Sequence, residues 1–292
     1  MSILWSQGKE KLHGACKIKS MKNLPQTIRQ AFQNCLKKGG KLCFLTGAGL
    51  SVESGIRTFR GKEGYWTVGS DVYTPQEMAT MKLYSSKPKV VWEWYLQRFL
   101  NYLEASPNEA HLAIASLQKT YGEQIELITQ NIDNLHRRAG SAENLYEIHG
   151  NMTSTRCSHD PSPLLKLPDN LLPLLQLKDY EKIWPLLQCP ICDNELVRPH
   201  VLWFDESYNE AYYKVYSAWD ASRSSEILIV IGSTGATSIP AQIVSHHLDI
   251  GHIVIIIDPH SSELSRMVSK SDKGVWLQKS AVEAMREILS FV

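Results

Sequence analysis

Two stretches of this chain carry residues able to do chemistry. The first is Gly47-Ala48-Gly49-Leu50-Ser51-Val52-Glu53-Ser54-Gly55-Ile56-Arg57-Thr58-Phe59-Arg60, directly after the apolar run Leu42 to Leu45. Gly47 and Gly49 let backbone N–H groups approach an anion, Ser51 adds a donor and Arg60 a positive charge, which together suit a phosphate. Val52 stands where a plain dinucleotide fingerprint has its third glycine, and no Gly-Lys-Ser/Thr ending follows, which disfavours a Mg-nucleotide triphosphate loop. Taken alone, the glycines suit a tight structural turn equally well. The second stretch is Thr129-Gln130-Asn131-Ile132-Asp133, after the apolar run Ile125 to Ile128, with His149-Gly150 beyond it. It gathers two amides, a carboxylate and an imidazole. An imidazole of ordinary pKa, about 6.5, is mostly neutral at neutral pH and can accept a proton. Asn131 and Asp133 also suit the cap of a helix starting near Asn134.

These groups need elements to hold them. Leu24 to Lys38 has helical spacing and stops at Gly39-Gly40; Val90 to Leu103 and Asn108 to Lys119 read as further helices. Ile227 to Ile231 and Ile253 to Ile257 join the two apolar runs above as strand candidates. Strands separated by helical segments imply parallel βαβ units, and so an α/β, Rossmann-like doubly wound sheet. Polar clusters at the ends of such strands are where that fold binds a dinucleotide. Residues 39–150 and 195–292 are assigned to this domain, 1–38 to a basic leader and helix, and 151–194 to a small inserted module rich in leucine and proline.

The 292 residues, 43% hydrophobic and 21% charged, support a real core. A net charge of +1 gives no case for nucleic acid or an anionic membrane as partner. Six cysteines in a chain this long are not a secreted disulfide framework. Met1 to Lys38 holds eight Lys or Arg and one acid. A cytoplasmic location is expected, or a mitochondrial one if that segment is a presequence.

The glycine turn running into Arg57-Thr58-Phe59-Arg60, together with Thr129 to His136, His149-Gly150, Pro107-Asn108-Glu109-Ala110-His111 and Arg198 to Phe204, closely resembles the sirtuin family of NAD-dependent protein-lysine deacylases. The resemblance implies NAD as co-substrate and acylated lysine of a protein or peptide as partner. It makes His149 the general base for a ribose hydroxyl, which then attacks the acyl carbon once nicotinamide has left. Asn131 would bind ribose hydroxyls or an ordered water, with Gln130 and Ile132 beside it, and Asp133 would accept from the nicotinamide carboxamide. Phe59 resembles the mobile aromatic that shields the ribose. Gly47, Ala48, Gly49, Ser51, Glu53 and Arg60 would line the cofactor. Gly232-Ser233-Thr234 resembles the turn on the adenosine side, with Ser and Thr exchanged. Asp258 stands where an Asn is usual and can take both ribose hydroxyls, and Ala281 matches the segment that touches adenine.

Tyr95 and Arg98 lie three apart on one helix face. They resemble the Tyr-x-x-Arg signature of sirtuins that remove acidic acyl groups, since arginine binds a carboxylate bidentately and tyrosine can donate alongside it. An ordinary amphipathic helix with a snorkelling arginine is the plain alternative. Val201, Trp203 and Phe204 are expected to bind an extended peptide through the backbone, with Asp205 replacing the usual glycine. Cys189-Pro190-Ile191-Cys192 matches one half of the family's structural zinc site, while Cys157-Ser158-His159-Asp160 departs from the other half. Zinc on Cys157, Cys189, Cys192 and either His159 or Asp160 is one reading, and a metal-free module held by its leucines is the other. The rival functions are mono-ADP-ribosyl transfer on the same scaffold and non-catalytic NAD sensing.

Overall fold

The computed structural model describes residues 20–58, 74–159, 162–192 and 195–292. Runs such as Leu42-Cys43-Phe44-Leu45-Thr46 and Ile227-Leu228-Ile229-Val230-Ile231 lack polar alternation, as a strand covered on both faces requires. Both are buried at every position. In chain order the strands are β1 (Ser20–Met21), β2 (Leu42–Thr46), β3 (Ile125–Thr129), β4 (Leu145–Glu147), β5 (Gly150–Arg156), β6 (Leu165–Lys166), β7 (Arg198–Val201), β8 (Ile227–Ile231), β9 (Ile253–Ile257) and β10 (Gly274–Leu277). Seven of them form one sheet in the order β1-β10-β9-β8-β2-β3-β4. Every pairing in that sheet is parallel.

Alternate side chains of these strands enter two different layers. Phe44, Leu127, Ile229 and Ile255 share a core with Phe32, Ile114 and Met285 of the helices Gln26–Lys37, Glu109–Tyr121 and Ala281–Leu289. Leu45, Ile128, Val230 and Ile256 pack instead with Ala218, Val244 and Leu264 of the helices Val215–Arg223, Ser238–Asp249 and Glu263–Val268. The result is the expected doubly wound α/β fold. From β2 the chain builds outward through β3 and β4, then returns to lay β8 on the other side of β2. The carboxyl ends of β2 and β8 therefore border the switch point where such folds bind ligands.

A smaller unit carries an antiparallel sheet of order β6-β5-β7. Its extent differs from the 151–194 expectation. Leu171, Leu175, Ile183 and Leu187 share their core with Trp92, Tyr95, Leu96 and Phe99 of the helix Pro88–Glu104, and with Val201 and Trp203. So short an insertion has too little apolar surface to close a core of its own, and it borrows a helix and a strand from outside its sequence limits. The boundary at residue 38 also shifts. Ser20–Met21 pairs with Trp276–Leu277, and Arg29 and the Leu24 amide both bind the Glu287 carboxylate, so residues from 20 on belong to the large domain. Among the described residues no helix is long and apolar enough to cross a membrane.

Candidate active site

The two glycine turns expected to meet a cofactor meet each other first. Gly47 N–H donates to the Ile231 carbonyl and Gly49 N–H to the Gly232 carbonyl, both at 2.9 Å. A Cβ on Gly49 would lie 2.6 Å from Gly232 Cα, and one on Gly232 (φ +63°) would lie 2.4 Å from Leu50 N. No real side chain tolerates these contacts. The glycines are fixed by the crossing of two turns at the ends of β2 and β8, and the N–H groups of Gly47 and Gly49 serve that crossing rather than pointing at an anion.

The turn continues as a 3₁₀ helix, Ala48–Ser54. Ser51 is fully buried and donates to Asp133 Oδ2 at 2.7 Å. Asp133 Oδ1 accepts from Leu135 N–H at 3.0 Å, so this residue does hold the start of the short helix Leu135–Arg138. Burial raises the Asp133 carboxyl pKa. Two bonds leave the carboxylate with acceptor capacity for a further donor. Asn131 Nδ2 donates to the Gly47 carbonyl at 3.1 Å and to Ser51 Oγ at 3.2 Å, tying the β3 loop to the β2 turn. Gln130 Nε2 donates to Ser233 Oγ at 2.8 Å, which brings in the β8 turn; Thr234 beside it is exposed. Ile132 packs toward the small unit, and its carbonyl accepts from Met152 N–H.

His149 lies in the loop after β4. Its Nδ1 is 3.1 Å from the Gln130 carbonyl, which can only accept, so Nδ1 carries the proton and Nε2 presents a lone pair. Burial pushes the His149 pKa down to about 4, against the opposing pull of that carbonyl. The imidazole is thus a neutral base at neutral pH. Gly150 must be glycine: with φ +84°, its Cβ would sit 2.1 Å from the His200 carbonyl on β7. The His149 carbonyl accepts from Leu202 N–H, so His149 and the expected peptide-binding segment are fastened together.

Several assigned residues work indirectly. Glu53 accepts from Ser280 Oγ and Val282 N–H, each at 3.0 Å, so its carboxylate holds the start of the helix Ala281–Leu289 and with it Ala281. Asp258 follows β9 and accepts from His260 N–H at 2.8 Å, with burial raising its pKa. The amides of Leu202, Trp203 and Phe204 bond the His149 carbonyl, Glu206 Oε2 and the Ala79 carbonyl, so they do not offer an incoming peptide outward-facing donors. Val201 and Trp203 are core residues, while the Phe204 ring is 52% exposed. Asp205 accepts from Met81 N–H at 2.8 Å and Lys82 N–H at 3.0 Å, starting the helix Met81–Ser86. Ala48 lies within the 3₁₀ turn. Phe59 and Arg60 lie outside the described residues.

Sequence matching decides the family: the Sir2 family pattern covers residues 47–238. The chain belongs to the Sir2 family. It is 36% identical over 251 residues to an NAD-dependent protein deacylase of Leptospira interrogans serogroup Icterohaemorrhagiae serovar Lai, covering 85% of this chain and 92% of that one. It is 38% identical over 231 residues to one of Pyrococcus furiosus, covering 79% and 86%. A crystal structure of a Sir2 homologue in complex with NAD superimposes with a TM-score of 0.70 at 30% identity, covering 89% of this chain and 93% of that one.

In this Sir2 chain Tyr95 and Arg98 point into the core of the smaller unit, 1% and 6% exposed. Tyr95 Oη accepts from Trp203 Nε1 at 2.9 Å. Arg98 donates to Tyr102 Oη at 3.1 Å and lies 4.4 Å from the Trp94 ring centre. A snorkelling arginine would reach water; this one is enclosed. Cys157, His159 and Cys192 bring their ligand atoms within 4.8 Å of one another, with Cys157 Sγ 3.6 Å from His159 Nδ1. Two thiols and an imidazole at these separations suit three of the four positions of tetrahedral zinc.

The sequence reading missed three groups. Tyr102 holds Arg98. His136 Nε2 lies 2.9 Å from Thr46 Oγ1, which donates to Thr129 Oγ1 beneath the turn. Tyr208 Oη lies 2.8 Å from His149 Nε2. The Tyr208 contact crosses 59 residues of sequence, and no local spacing signals it.

Proposed function

We propose that this chain removes acyl groups from protein lysines with NAD as co-substrate, and that it prefers acyl groups bearing a carboxylate, as succinyl and malonyl do. The carrying observation is His149, neutral, oriented by the Gln130 carbonyl and seated between the crossed glycine turns and the segment leading to Phe204. The fit to NAD rests on that crossing, which only glycine permits, and on Asp258 at the end of β9, where a carboxylate can take ribose hydroxyls and would repel a 2′-phosphate.

NAD supplies the ribose that receives the acyl group and the nicotinamide that leaves. His149 Nε2 takes the proton of a ribose hydroxyl. Asp133, fixed by Ser51 and Leu135, accepts from the carboxamide, and Asn131 keeps the two loops in register. Zinc, held by Cys157, His159, Cys189 and Cys192, would brace the smaller unit and take no part in the reaction. The acidic-acyl reading is supported by Arg98, a buried guanidinium set by Tyr102 and Trp94 one helical turn from Tyr95. Bidentate pairing with a carboxylate is what such a group does best.

Acetyl, malonyl and succinyl forms of one peptide, incubated with NAD, test both levels. Nicotinamide release with loss of the acyl mass is expected, fastest for succinyl or malonyl. Arg98→Met should lower kcat/KM for succinyl peptide by roughly ten- to a hundred-fold and spare the acetyl peptide. ADP-ribose attached to protein with the acyl group retained would favour the transferase reading instead.

A further inference from the structure

The lone pair on which the proposed reaction depends is already occupied. With Nδ1–H committed to the Gln130 carbonyl, Nε2 is an acceptor, and the only hydrogen that can lie on the 2.8 Å contact is that of the Tyr208 hydroxyl. Tyr208 is itself held in place. Its ring lies tilted against the imidazole with centres 5.8 Å apart and packs on the core that contains Ile148 and Ile243. Nearby, Thr237 Oγ1 donates to Gln130 Oε1 at 3.1 Å. Gln130 Nε2 points to Ser233 and the Thr46 carbonyl, which fixes the amide the right way round for that bond. Gln130 is thus engaged through its backbone by His149 and through its side chain by Ser233 and Thr237.

We propose that Tyr208 is a positioning residue that latches His149 in the ligand-free enzyme: its hydroxyl holds the Nδ1–H tautomer and fills Nε2 until a ribose hydroxyl displaces it. The inference rests on His149 being the base of the proposed reaction. Displacement is feasible because Tyr208 lies on the irregular stretch between β7 and the helix Glu210–Tyr213, where no ladder bonds fix the backbone. The ribose must therefore break one neutral hydrogen bond before forming its own, so latching weakens nucleotide binding and leaves the base correctly aimed.

Nitrogen NMR of His149 in the ligand-free wild type should show the Nδ1–H tautomer with a hydrogen-bonded Nε2; an Nε2–H tautomer overturns the proposal without any variant. Calorimetric titration with ADP-ribose should show Tyr208→Phe binding about two- to ten-fold tighter than wild type, the worth of one such bond. The gain should vanish on a His149→Ala background, since the two residues then have nothing to couple. Unchanged or weaker binding, or an equal gain without His149, overturns it. In turnover, Tyr208→Phe should lower KM for NAD and keep kcat within about three-fold; a kcat loss of about a hundred-fold would place Tyr208 in the proton transfer itself and overturn the latch. Tyr208→Leu serves the same comparisons if the phenylalanine variant does not fold. If no acyl peptide releases nicotinamide, the proposed function fails, while the tautomer and ADP-ribose results still judge the latch.

Discussion

At the scale of single residues, the site is set by what each atom cannot do. The Gln130 carbonyl cannot donate, so His149 must, and its other nitrogen is left as an acceptor. Because burial depresses the His149 pKa to about 4, the imidazole loses its proton-accepting ability only as pH falls well below the ordinary imidazole range. The acid limb of kcat/KM against pH should therefore lie below about 6; a limb at or above the free value would contradict the assignment. Gly49→Ala drives a methyl to within 2.6 Å of Gly232 Cα. Forcing these backbones apart should cost about 1–3 kcal/mol and abolish measurable NAD binding, read by denaturant midpoint and titration together.

At the scale of elements, legibility followed locality. The strands β2, β3, β8 and β9 were readable because unbroken apolar runs between helical segments have one reading in a parallel sheet. The polar residues that follow β2, β3, β8 and β9 lie at strand ends, where loops of such folds bind ligands. The short strands β1, β4 and β10 were not readable, being too brief for a periodic signal. The smaller unit was underestimated because its core comes from sequence-distant partners: Trp92 and Tyr95 on one side, Leu175 and Ile183 on the other. Glu53 looked like a cofactor contact and proved to hold the last helix, a pairing across 229 residues that no spacing reveals. Asp205, an unexplained departure in sequence, binds two amides at the start of Met81–Ser86. Asp205→Gly should cost about 1 kcal/mol, as loss of a helix cap does, and lower Tm by a few degrees. The cluster of Cys157, His159 and Cys192 belongs at this scale too. Chelation, or Cys192→Ser, should lower Tm and leave His149 chemistry unchanged in the fraction that stays folded, followed by zinc analysis alongside melting.

At the scale of the molecule, five histidines, His111, His136, His149, His200 and His247, are held neutral by burial, each with a lowered pKa. The unfolded chain binds protons at these sites near pH 6.5 and the folded chain does not, so stability is complete above that value and lost as pH falls toward the folded pKa values. Asp133 and Asp258, raised by burial, oppose the trend but are fewer. Tm should fall steeply between about pH 6.5 and 4; a flat profile there would refute the burial of these rings. The edge strand β1 carries a different implication. It docks on β10, and the Leu24 amide reaches Glu287, 263 positions further along. On the ribosome the first segment of the domain must wait, unpaired, until nearly the last has emerged. Closure of the sheet edge is then a post-translational event, and nascent chains halted before residue 274 should keep Ser20–Met21 open to protease.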